Sequence, residues 1–367
     1  MSHRVVATSP LALLALVPEL VGFEPRESLV LVAFAGKVSG GTFRVDLPPD
    51  SSESRAALFA STVTGMLCRL REVDGVLPVV YTDASCATGA PRRDVVNAIV
   101  RAASAAGFEV RDPLYVASDG WGDYTDEPRP IDELEAASSL RALDPDAPAR
   151  GASPKDQAAL PLTDPTLRQR TLDVLTTWKA ADDVPDPLWV AEYSLHWDPE
   201  KVGPVAAALV ASALSRPPLR DVLLLTWCWG TKVGERALRF QERFQRGEPV
   251  DDRDVELALS GRGALGRPDR SAVDRANTLL RHVAALLPEA DRAPALSSLA
   301  WLNWALGASS VAGEYTLAAR AADRSYGFAE LIEEMLDRGM LPDWAFEDKA
   351  PANDRRSDRD AFGRLRR

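Results

Sequence analysis

An arginine and two aspartates give this chain its most direct prospect of polar chemistry. In the run Phe43-Arg44-Val45-Asp46-Leu47-Pro48, Arg44 and Asp46 stand two apart. A strand therefore puts both on one face and Phe43, Val45 and Leu47 on the other. With Ser28 and Glu24 they would line a polar ligand pocket in which Asp46 acts as base or metal ligand. Alternation also explains the pair as an ion pair on a solvated face, which contributes little, and that plainer reading is preferred. Asp83 follows Val79-Val80-Tyr81-Thr82 and precedes Ser85 and Cys86. It sits where a strand ends, the place at which ligands of open α/β sheets gather. The chain has no G-x-G-x-x-G and no G-x-x-x-x-G-K-[ST] run, so close backbone approach to a phosphate is unsupported. An ordinary turn with Asp83 capping the next helix is the stronger expectation.

Aromatic residues form the second set of candidates. Trp227 and Trp229 flank Cys228, and Trp301 and Trp304 are three apart on one helical face. Trp301 and Trp304 would suit an aromatic groove for a protein partner, although tryptophans in a helical domain more often build its core. Cys228 has no base or electropositive neighbour in the sequence to activate it. His3, His196 and His282 are scattered, and there is no H-E-x-x-H, G-x-S-x-G or Asp-rich metal loop. Asp251, Asp252 and Asp254 cluster at a helix start, where acidic side chains suit the macrodipole. No metal and no cofactor are expected.

The elements that must position these residues read clearly. The first part alternates: a helix at 9–16, strands at 28–35 and 41–47, a helix at 52–71, a strand at 76–82, a helix at 91–106 and a strand at 108–117. This predicts an α/β (α+β) domain with a mixed sheet over 1–120. Residues 121–165 are rich in Pro, Asp and Ala, with one short helix at 131–142, and read as a flexible linker or flap. From 166 to 345 the pattern is helical: 165–181, 187–194, 200–214, 217–227, 232–246, 251–260, 269–287, 291–306, 310–322 and 326–339. Prolines mark many of the starts. The expectation is an all-α, repeat-like domain of tetratricopeptide flavour, without a regular 34-residue period. Residues 346–367 are charged and read as a disordered tail.

Two segments carry a resemblance. Residues 18–30 read P-E-L-V-G-F-E-P-R-E-S-L-V, followed by R-V-D-L-P at 44–48; residues 300–307 read A-W-L-N-W-A-L-G. Together they resemble an actinobacterial domain-of-unknown-function family with a P-x-L-x-G-F-x-P-x-x-S-L-V and R-x-D-L-P signature, for which no activity is agreed. Longer members carry a Trp/Tyr stretch followed by a cysteine cluster. Here D-G-W-G-D-Y-T-D-E-P-R-P keeps Trp121 and Tyr124 without a cysteine, so no metal or redox role carries over.

Bulk properties bound the function classes. A net charge of -11 and a pI near 5.0 argue against broad nucleic-acid or anionic-membrane binding. No segment reaches the roughly 18 apolar residues of a membrane span. The apolar run at 11–17 is too short for a signal peptide and is broken by Pro18 and Glu19. Cys68, Cys86 and Cys228 make no disulfide framework, which suits a cytoplasmic protein. The expected function is a non-catalytic scaffold or interaction protein with a protein partner, and a homo-oligomer is possible. The alternative is a small-molecule hydrolase or transferase working at the strand ends with Asp46, Asp83 and Arg44.

Overall fold

The computed structural model describes residues 9–36, 38–49, 52–70, 72–142, 153–181 and 185–346. His3, the stretch 143–152 of the expected linker, and the expected tail beyond Phe346 lie outside the described residues.

Helix α1 (Pro10–Val21) is capped by Ser9, which accepts the Ala12 N–H at 3.2 Å, and Pro10 occupies the first turn. It runs past Pro18 and stops at Gly22, whose φ of 87° ends the helix. Pro18 removes one helical hydrogen bond, but Leu14, Ala15 and Val17 are buried and hold the helix through it. Strand β1 (Ser28–Ala35) then lies antiparallel between β2 (Val38–Asp46) and β3 (Gly75–Tyr81), with α2 (Glu53–Cys68) connecting those two. Helix α3 (Arg93–Ala105) carries the chain from β3 to β4 (Glu109–Val110) and β5 (Leu114–Val116), both parallel to β3. Pro78 stands opposite the break between β4 and β5, where the ladder is interrupted.

The sheet continues past residue 120. Strand β6 (Gly120–Asp123) pairs antiparallel with β5, β7 (Arg129–Pro130) pairs with β6, and α4 (Ile131–Ala142) follows. The order is β2-β1-β3-β5-β6-β7, a mixed sheet. The segment expected as a linker or flap from 121 thus supplies two strands and a helix. Trp121 and Tyr124 are buried there, and burying two large aromatic rings is what draws it in.

Both faces of β1 are covered, as its uninterrupted Ser-Leu-Val-Leu-Val-Ala-Phe run predicts. Leu29, Leu31 and Ala33 pack with residues of α2 and α3, while Val30, Val32 and Phe34 pack with Leu14 and Val17 of α1 and Leu134 of α4.

The rest is helical: α5 (Pro154–Ala158), α6 (Pro165–Ala181), α7 (Pro187–Ser194), α8 (Pro204–Leu214), α9 (Pro217–Trp229), α10 (Thr231–Gln245), α11 (Arg253–Ala258), α12 (Arg270–Leu286), α13 (Ala293–Ala305), α14 (Ser309–Ala322) and α15 (Gly327–Asp337). Asp186, Asp252 and Asp269 cap α7, α11 and α12, satisfying N–H groups that a helix start leaves free. The core of this half is built on tryptophan. Trp227, Trp301 and Trp304 are fully buried, and Trp301, Trp304, Trp229 and Trp344 meet mostly edge to face. The two halves touch through Arg44 Nη1, which donates to Ser310 Oγ at 3.0 Å, and through Arg69, which pairs with Asp343 at 2.6 Å and lies over the Phe346 ring.

Candidate functional site

The loop from β3 to α3, residues 82–92, crosses the carboxyl end of the sheet. Two residues there hold positive φ without being glycine: Glu27 at 38° and Arg92 at 53°. They are bonded to each other, Arg92 Nη2 to Glu27 Oε2 at 3.1 Å. Glu27 Oε1 also accepts from Thr82 Oγ1 and from the Asp83 N–H, both at 2.6 Å, and Arg92 Nη1 donates to the Pro48 carbonyl at 3.1 Å. Burial alone would raise the Glu27 pKa, but the bonds from Thr82, Asp83 and Arg92 outweigh it and hold the carboxyl below its ordinary value. The backbone strain is thereby offset by a carboxylate accepting three donors. So committed, Glu27 fixes the loop.

Asp119 anchors the far side of the same loop. It accepts from Ser85 Oγ at 2.5 Å, from the Cys86 N–H at 2.8 Å and from the Cys86 thiol at 3.2 Å. These bonds, that from Ser85 first, draw its pKa down to about 2. Cys86 responds in the opposite sense: burial and then the Asp119 carboxylate push its thiol up. A nucleophilic thiol needs the reverse environment, so Cys86 is a packing and hydrogen-bonding residue. Gly120 makes the arrangement possible. A Cβ there would stand 2.7 Å from the Arg129 carbonyl oxygen and 2.8 Å from Cys86 Sγ.

The residues singled out in the sequence are distributed as follows. Arg44 and Asp46 share a face and pair at 2.5 Å, with Asp46 exposed. Arg44 also donates to the Arg26 carbonyl at 3.2 Å, so the pair braces the 22–27 turn as well as reaching Ser310. Ser28 lies on the same face, directly opposite Asp46 on one side and Tyr81 on the other, and is buried. Glu24 is exposed, and its charge is felt by Tyr81. Asp83 is exposed and does not cap α3. The N-cap position belongs to Arg92, whose side chain makes no cap bond, because the loop is fastened through Glu27 and Asp119 instead. Trp301 and Trp304 line no groove: both are buried, with their indole N–H groups donating to Leu259 O at 2.8 Å and Met340 O at 2.7 Å. Glu27, Arg92 and Asp119 escaped the sequence reading. Their partners lie 33 to 65 residues away, and no local spacing marks them.

Concave surface lies on the helical half. A cavity of about 590 Å³ is lined by Leu195, Trp197, Pro199, Arg270, Arg275 and Leu279 among others. A second, of about 420 Å³, includes His196, Trp229, Thr231, Arg267, Asp269 and Arg275. Leu195 and Arg275 line both, so the two meet at the C-terminal end of α7. On α7 itself, Trp189 and Tyr193 stack at 5.0 Å with about half of each side exposed, 46% and 51%. Among the described residues no group of three or more His, Cys, Asp or Glu side chains is placed to hold a metal. Among them also, no helix is long and apolar enough to cross a membrane.

Residues 10–163 match the model of a family described as a domain of unknown function (DUF4192). The matched stretch takes in α1, the whole sheet, α4 and α5, and ends before α6. The Ala300-Trp301-Leu302-Asn303-Trp304 segment lies outside it. No curated protein and no solved structure matches the chain.

Proposed function

We propose that this is a non-catalytic cytoplasmic binding protein, that its recognition surface is the double cleft at the end of α7, and that its partner is a segment of another protein. The observation that carries this reading is the junction of the two cavities at Leu195 and Arg275; the exposed, stacked Trp189–Tyr193 pair stands on the same helix, α7, outside the lining of both. Each cavity falls within the size range of ligand sites. Exposed Trp, Tyr and Arg are the side chains on which interface energy concentrates. Half-buried Trp197 and Trp229 give the clefts apolar walls, and Arg267, Arg270 and Arg275 supply donors at their rims.

At the strand ends Glu27 and Asp119 are engaged in fastening the loop, so the alternative reading, a hydrolase or transferase, would have to work through the exposed Asp83 and Asp46. The three cysteines are free thiols, in keeping with a reducing compartment.

The test begins with a partner captured from native cytosol and then purified. Its affinity is measured for the intact protein and for Tyr193→Asp, Trp197→Ala and Asp46→Asn. The first two variants should each weaken binding about tenfold or more, the scale of an interface hot spot, with Asp46→Asn unchanged. Loss confined to Asp46→Asn would move the site to the sheet and overturn the reading.

A further inference from the structure

Four buried polar side-chain atoms without a hydrogen-bond partner gather at one corner of the sheet: Ser28 Oγ, Arg44 Nε, Tyr81 OH and Trp121 Nε1. The strand register places them together. Ser28 is opposite both Asp46 and Tyr81, Tyr81 is opposite Val116, and Val116 is opposite Trp121. Arg44 is opposite Val30, one step back on the same face. That face is the one covered by α1 and α4, since Val30, Tyr81 and Trp121 pack with Leu14, Val17 and Leu134. Ser28, Tyr81 and Trp121 are at least 97% buried, with exposures of 0%, 3% and 2%.

Buried polar groups in folded proteins are paired, with protein or with something else. Thr64, Tyr115 and Arg281 carry further unpaired atoms elsewhere, but Ser28, Tyr81 and Trp121 fall in one cross-strand row at the carboxyl end of β3, with Val116 between the last two and Arg44 one step behind, and that concentration is the signal of a guest. The corner is where an open α/β sheet receives ligands: β3 has an antiparallel neighbour on one side and a crossover-connected parallel neighbour on the other.

The chemistry of the guest follows from the donor set. Indole Nε1 and guanidinium Nε are donors only, and the tyrosine and serine hydroxyls can donate too. Burial, and then the Glu24 charge, hold the Tyr81 hydroxyl protonated. The guest must therefore present acceptor oxygens. It is not an anion, because Asp46 already sits on Arg44 at 2.5 Å and the negative charge of Glu24 is felt at Tyr81. Arg129, over the Trp121 ring at 5.2 Å, is the cation on the other flank.

We propose that the row Ser28–Tyr81–Trp121, with Arg44 beside it, is an internal site for uncharged acceptor oxygens lying between the sheet and its α1–α4 cover. These are supplied by a small neutral carbonyl- or hydroxyl-bearing molecule or, at the least, by ordered water. The site is separate from the α7 clefts and does not depend on their function.

The decisive variant is Tyr81→Phe, which deletes one hydroxyl and keeps the ring. If the hydroxyl donates to a guest, its removal lowers the thermal midpoint by several degrees. If the row is dry, the same change relieves a buried unpaired group, and a raised or unchanged midpoint overturns the proposal. The source of the oxygens is settled separately by native mass spectrometry of the full-length protein as purified. Mass beyond the chain that is released on denaturation identifies an organic molecule; a bare chain mass together with a lowered Tyr81→Phe midpoint identifies water.

Discussion

Asp119 shows how a single side chain sets the shape of the strand-end loop. Its pKa, about 2, lies below the ordinary value of 3.8 because Ser85 and Cys86 donate to the ionised form. The sign follows from linkage: a carboxyl depressed on folding adds stability above its unfolded pKa and loses it as pH falls through the folded one. Asp119→Asn should therefore abolish a step in thermal midpoint that the wild type shows between about pH 4 and pH 2, readable in a melting series across that range. The thiols give a second residue-scale prediction. Cys68 is exposed, whereas Cys86 and Cys228 are buried and burial pushes both of their thiols up. Brief treatment of the native protein with iodoacetamide at neutral pH should add one label, at Cys68, with the other two appearing only on unfolding. Peptide mapping checks it, and prompt labelling of Cys86 would contradict the packing described for it.

At the scale of elements, helix packing decides what glycines can become. Gly234 lies inside α10, and a Cβ there would collide with Thr226 Oγ1 and come within 2.9 Å of Leu188 Cδ2. Alanine gains about 1 kcal/mol in an exposed helix, but overpacking a tight contact costs about 1–3 kcal/mol. Gly234→Ala should thus give no stabilisation and a loss of up to about 2 kcal/mol in chemical denaturation, against the usual direction for a helical glycine. The same scale explains what the sequence made legible. Strand β1 was plain because Leu, Val and Phe run without interruption, and most helices were plain because a Pro, Ser or Asp opens them. Strand β6 was not, because Gly120-Trp121-Gly122-Asp123 has neither alternation nor β-branched residues. It exists because Gly120 and Gly122 let the chain pass close to Cys86 and Tyr115. The tryptophan core was legible as a tendency, but which indoles face outward was set by tertiary contacts. The clefts were invisible for the same reason: α7, α9 and α12 assemble them from residues up to 85 positions apart.

The whole molecule joins a sheet half and a helical half through a few polar contacts. Arg69 carries two of them, the pair with Asp343, in which both partners are about half exposed, and the stacking over Phe346 at 3.9 Å. Exposed pairs contribute about 0–1 kcal/mol and an exposed cation–π contact about 0.5–1 kcal/mol, so Arg69→Ala should lower global stability by no more than about 2 kcal/mol. It should still speed amide exchange at Asp343–Phe346, since local opening needs far less energy than global unfolding. The family match covers the sheet half and stops before α6, while the proposed recognition surface lies beyond it. The most direct test of that surface is site-specific photo-crosslinking in living cells, with a benzophenone side chain placed in turn at Tyr193, Trp197 and Asp83. One and the same protein cross-linked from Tyr193 and Trp197, and not from Asp83, is the result predicted for a partner held in the α7 clefts. Cross-links from Asp83 alone would contradict it and place recognition at the end of the sheet.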